Sequence, residues 1–193
     1  MGVRLVIFDM DGTLTEELLD FAAIRREIGL PEKAPIIEGI AALPEELRRR
    51  GERILDAHEM SAAAACKLHD GAAEVLEELR RRGIQTALLT RNSARCAAAV
   101  LGRHALTLDF VASREDLPHK PHPDSILNLV RRFGVERGQT LMVGDYLYDI
   151  DAATAAGVRS VLLCMRDGGA RPAFAATATY CVDRLDEVLG LLE

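Results

Sequence analysis

Short apolar runs recur along the chain at intervals, and stretches with helical spacing lie between them. The first run, "VRLVIFD" at 3–9, has no polar alternation, as expected of a strand covered on both faces. Similar runs are "IQTALLT" at 84–90, "TLMVGD" at 140–145 and "RSVLLC" at 159–164, with weaker ones at 108–113 and 177–183. Between them, "GAAEVLEELRRRG" sets Val75, Leu76 and Leu79 on one stripe and stops at Gly83. "PDSILNLVRRFG" does the same with Ile126, Leu127, Val130 and Phe133, stopping at Gly134, and the Ala-rich "DIDAATAAG" stops at Gly157. Strands alternating with helices of this length imply right-handed βαβ units around a parallel sheet. The predicted fold class is α/β, a Rossmann-like three-layer core with a central parallel sheet.

Residues 16–69 break the alternation. They read as a helix over "EELLDFAAIRREIG", a Pro/Gly-punctuated connection at 31–44, and a longer helix from Glu45 to about Lys67, with no strand. This is an all-helical cap inserted between the first two strands, so the domain division is a core of 1–15 and 70–193 and a cap of 16–69. Phe21 is expected in the core of the insert, with Arg25, Arg26 and the Arg48–Arg50 run on its surface.

Ligands bind parallel sheets beyond the carboxyl ends of the strands, so the residues just past each strand are the informative ones. They are Asp9 and Asp11, then Thr90, then Lys120 in "PHKPHPD", then Asp145 and Asp149. Asp9 and Asp11, two apart in extended chain, can face the same side and divide labour as nucleophile and proton carrier. Taken alone, Asp11-Gly12 is equally a tight turn. Gly12 permits a turn that brings backbone N–H groups toward an anion. Asp145 and Asp149 placed beside Asp9 make a carboxylate cluster that calls for a cation, and oxygen-only ligands favour Mg²⁺ over zinc. Thr90 opens a helix N-terminus through Arg91-Asn92-Ser93, which suits a phosphate as well as a simple cap. Lys120, flanked by prolines, can offset the charge of a nucleophilic carboxylate and a bound phosphate together. His119 and His122 are expected to face solvent.

Composition narrows the classes. A formal charge of −6 over 193 residues argues against a nucleic-acid binder. No apolar run is long enough for a membrane span, and the immediate entry into a strand leaves no signal-peptide pattern. Cys66, Cys96, Cys164 and Cys181 form no CxxC pair and read as reduced, mostly buried thiols of a cytoplasmic protein.

Four ordered segments, "DMDGT" at 9–13, "LLT" at 88–90, Lys120 before Pro121, and "GDYLYD" at 144–149, resemble the signature of the haloacid dehalogenase-like hydrolase superfamily. The resemblance spans the core, and the helical insert is similar to a small cap of the phosphoglycolate-phosphatase-like subfamily. It implies that Asp9 is the nucleophile and forms an aspartyl-phosphate. Asp11 is then general acid and base, and its backbone carbonyl is a Mg²⁺ ligand. Thr90 holds the phosphoryl oxygens, within a phosphate-binding set of Gly12, Thr90, Arg91, Asn92 and Lys120. Many relatives have Asn directly after that Thr, whereas here Arg91 stands between. Asp145 completes the metal set with Asp9 and Asp11, and Asp149 joins it directly or through water, or orients Lys120. The implied activity is Mg²⁺-dependent hydrolysis of a small phosphorylated metabolite, phosphoglycolate-like or a sugar phosphate. The alternatives are a phosphotransferase such as a phosphomutase, and a non-catalytic phospho-accepting signalling module. Whether the chain is a monomer or a homodimer is not set by the sequence.

Overall fold

The computed structural model describes residues 2–116, 118–164 and 171–193. Among them, six strands form one parallel sheet: β1 (Leu5–Phe8), β2 (Gln85–Leu89), β3 (Phe110–Ala112), β4 (Thr140–Gly144), β5 (Arg159–Leu163) and β6 (Tyr180–Val182), in the order β3-β2-β1-β4-β5-β6. Every position of β1 is buried because alternate residues enter different layers. Val6 and Phe8 join the core that also holds Val75 and Leu79, whereas Leu5 and Ile7 join the one holding Ile126 and Ala153. This is why the strand lacks polar alternation.

The helices α4 (Ala72–Arg81), α5 (Ala94–Arg103), α6 (Asp124–Phe133) and α7 (Leu147–Ala156) connect successive strands of the core. The helices α6 and α7 end at Gly134 and Gly157, both in the left-handed conformation expected of a helix stop.

The insert holds α1 (Phe21–Ile28), α2 (Ile36–Ala41) and α3 (Glu45–Ala65). Ile24, Ile36, Ile40 and Leu55 give it a small apolar core of its own. Four local features depart from the sequence reading. Helix α1 begins at Phe21 rather than at 16, because Asp20 caps it by accepting a hydrogen bond from the Ala23 N–H at 2.8 Å. The connection at 31–44 contains α2, a helix of six residues. Phe21 is an exposed residue, since Ile24 rather than Phe21 takes the buried side of α1. Arg26 is exposed as expected, whereas Arg25 is half-buried and donates through Nε to the Ala34 carbonyl at 2.8 Å. Thr15 and Leu68 bridge at the two ends of the insert, so the chain leaves and rejoins the core at one point.

Cys66 and Cys96 are buried, Cys164 and Cys181 half-buried, and all four are free thiols. No helix among the described residues is long and apolar enough to cross a membrane.

Candidate active site

Register decides which side chains meet. Phe8 is level with Leu88 on one neighbour and Val143 on the other. The residues that follow, Asp9, Thr90 and Asp145, therefore emerge at the same edge of the sheet. The order in which successive strands are laid down reverses at β1, with β2 and β3 on one side and β4 to β6 on the other, which opens a crevice there.

Lys120 sits at the centre of this crevice. It is 2 % exposed, and its Nζ lies 2.7 Å from Asp9 Oδ1 and 2.6 Å from Asp149 Oδ1. Burial alone would drive the ammonium to lose its proton. The carboxylates of Asp149 and Asp9 outweigh that and hold it above the usual lysine range. The Asp149 carboxyl is itself buried and pulled upward, although Lys120 and the Tyr146 N–H both favour its ionised form.

Asp9, Asp145 and Asp149 place carboxylate oxygens within 4.8 Å of one another. Burial, then the charges of Asp9 and Asp149, push the Asp145 carboxyl up to about 8. An oxygen-only donor set carrying this much unfavourable negative charge fits a hard divalent cation. Two glycines make the cluster possible. A Cβ on Gly12, whose φ is +77°, would stand 2.3 Å from Asp145 Oδ2, and one on Gly144 would stand 2.2 Å from Asp149 Cγ. The turn after β1 is closed by the Met10 carbonyl, which accepts from the N–H groups of Thr13, Leu14 and Thr15.

Asp11 differs from Asp9 in its surroundings. Burial and the neighbouring Asp9 charge push its carboxyl up to about 7, while a 2.6 Å hydrogen bond from Asn92 Nδ2 works in the opposite sense. Asn92 is thus turned to Asp11. Thr90 is buried, and its hydroxyl accepts from the Asn92 N–H at 3.1 Å. Arg91 points to the cap: its Nη2 donates to both carboxylate oxygens of Glu38 at 2.8 Å, its Nη1 donates to the Lys120 carbonyl, and its guanidinium lies 5.0 Å from the Tyr148 ring centre. His122 is exposed as expected, but His119 is half-buried beside the Arg91–Glu38 pair, and burial depresses its imidazole.

Sequence reasoning did not find the groups that hold cap to core. Glu59, 1 % exposed on α3, accepts from the N–H and hydroxyl of Ser93 at 3.1 and 2.8 Å and pairs with Arg114. Arg95 pairs with Asp56 at 2.8 Å. Glu59 lies 34 residues from Ser93 and Glu38 lies 53 from Arg91, so no local spacing signals either contact. Under the cap is a cavity of about 360 Å³, with the carboxylates and Lys120 on its floor and Phe21, Ile37 and Tyr148 among its walls.

Two carboxylates in unlike surroundings, a buried ammonium and an acidic cluster at the switch point of a parallel sheet define a hydrolytic site of the Rossmann-like type. The haloacid dehalogenase-like hydrolase family model matches residues 3–157, and the chain belongs to that family. It is similar to a haloacid dehalogenase-like hydrolase domain-containing protein of Arabidopsis thaliana, 27% identical over 206 residues that cover 99% of this chain and 84% of the relative. It is also similar to phosphoglycolate phosphatase 1 of Pseudomonas aeruginosa, at 28% identity over 96% of this chain and 78% of that one. Among solved structures, a hydrolase from Pseudomonas syringae superposes with a TM-score of 0.80 at 22% identity, covering 99% of this chain and 98% of the other.

Proposed function

We propose that the chain is a cytoplasmic Mg²⁺-dependent phosphatase that hydrolyses a small phosphate monoester through an aspartyl-phosphate on Asp9. The observation that carries this reading is the division between the two acids after β1. Asp9 is paired with a buried ammonium at 2.7 Å, whereas Asp11, two residues on, is pushed to about 7 and can exchange its proton near neutral pH. Mg²⁺ held by Asp9, Asp145, Asp149 and the Asp11 carbonyl would offset charge on the phosphoryl oxygens.

In the first displacement a carboxylate oxygen of Asp9 forms a bond to phosphorus and the ester P–O bond breaks. The Asp11 proton goes to the departing alkoxide. In the second, Asp11 takes a proton from water as the water oxygen bonds to phosphorus, and the bond between phosphorus and Asp9 breaks to release phosphate. In this reading Lys120 balances the charge of Asp9 and of the transferred group throughout, and the Thr90 hydroxyl holds a phosphoryl oxygen. Asp9→Asn should abolish Mg²⁺-dependent release of phosphate from a generic aryl phosphate. Retained turnover in that variant would remove Asp9 as the nucleophile.

A further inference from the structure

The walls of the cavity differ from its floor. Above the carboxylates, the cap presents Leu19, Phe21 and Ile37, and the core presents Tyr146 and Tyr148. Phe21 and Tyr146 are 38 % and 52 % exposed and so among the large apolar side chains the fold leaves uncovered, and both border this one cavity. Tyr146 and Tyr148 stand edge to face, with ring centres 5.3 Å apart. Two of the basic side chains of the same walls are already engaged. Arg91 is taken by Glu38 and the Lys120 carbonyl, and Arg114 by Glu59, which also holds Ser93. To be bound by Arg91 or Arg114, a sugar hydroxyl would have to break one of these pairs, whereas a hydrocarbon surface set against Leu19, Phe21 and Ile37 finds partners that lose nothing.

We propose that the preferred substrate is a phosphate monoester whose leaving group is an apolar hydrocarbon or ring body, rather than a polyol or a short carboxylic acid. This rests on the phosphatase reading above. The competitor is set by Arg25, which uses Nε for the Ala34 carbonyl and could meet a substrate carboxylate with its terminal nitrogens.

The test uses esters whose leaving alcohols have similar acidity, so that only recognition differs. Ethyl, butyl and hexyl phosphate are compared with erythritol 4-phosphate and phosphoglycolate, with phenyl phosphate as a reference for turnover. The expected result is a rise in kcat/KM of about threefold to fourfold for each added methylene, as full burial of a methylene predicts. Butyl phosphate should exceed erythritol phosphate by more than about tenfold, since hydroxyls set against Leu19, Phe21 and Ile37 lose water without finding partners there. Phe21→Ala should flatten the chain-length series and Phe21→Leu should keep most of it. Phe21 is exposed, so neither change threatens the fold. A flat series, or a preference for phosphoglycolate that Arg25→Ala removes, overturns the inference and leaves the phosphatase reading standing. Absence of turnover with every ester, phenyl phosphate included, overturns both.

Discussion

Lys120 is surrounded by protein, yet its ammonium touches two carboxylates and cannot leave either without cost. Lys120→Met would leave Asp9 and Asp149 facing each other without a cation. Removing one partner of a buried pair costs about 3–5 kcal/mol. Urea unfolding should therefore show a loss of this order in the metal-free protein, together with loss of phosphatase activity. Asn92 offers a subtler test. Its hydrogen bond favours the ionised form of Asp11, so Asn92→Ala should move the Asp11 limb of the pH–rate profile to higher pH. A profile that stays in place would separate Asn92 from Asp11. Gly144→Ala places a Cβ where the Asp149 carboxyl stands, and should displace Asp149 and abolish Mg²⁺ binding as read by titration calorimetry.

At the scale of elements, the cap is fastened to the core by a few long-range pairs. Arg91 joins the residue after Thr90 to Glu38 on α2 and to the backbone of Lys120, so cap position and lysine position are set by one side chain. Glu38 remains about half exposed, which limits the worth of the pair. A double-mutant cycle with Arg91→Ala and Glu38→Ala should give a coupling energy of about 1 kcal/mol or less. Burial pulls the Glu38 carboxyl upward but the hydrogen bond and charge of Arg91 outweigh it, leaving the group below its ordinary value of 4.5. A depressed folded-state value means that this contribution is present above the unfolded value and fades as pH falls through the folded one. The latch is thus intact at neutral pH and weakens only in acid.

For the whole molecule, the acidic cluster ties stability to pH. Asp11 and Asp145 are held at about 7 and about 8, against an ordinary value of 3.8. With folded values raised, these two groups bind more protons in the metal-free fold than in the unfolded chain. The stability these two groups contribute is fully present below about pH 4 and is lost as pH rises through about 7 to 8. Mg²⁺ held there would require ionised ligands and would relieve the same repulsion. The melting temperature should therefore rise more on adding Mg²⁺ at about pH 8 than at about pH 5.5, where protons compete with the ion. Thermal scans with and without the ion at both pH values check this, and equal shifts would disconnect the cluster from the metal.

Much of this architecture is legible along the chain. The runs at 3–9, 84–90 and 140–145 contain strands because alternate residues feed two different cores, which forces apolar side chains at consecutive positions. Parallel order then carries Asp9, Asp11, Thr90, Lys120, Asp145 and Asp149 to one edge, since every strand ends on the same side. The start of α1 carried a readable signal in Asp20, an N-cap residue just before the helix. The exposure of Phe21 carried none, because it depends on which face of α1 the insert covers. Strand positions, the acidic inventory and the glycine turns follow from the sequence by itself, because each rests on periodicity or on neighbours a few residues apart. The pairing of Arg91 with Glu38, the burial of Glu59 against Ser93 and Arg114, and the apolar walls above the carboxylates were decided only in the tertiary structure. Those contacts join groups 34 to 55 residues apart, and their energies exist only once cap and core have met.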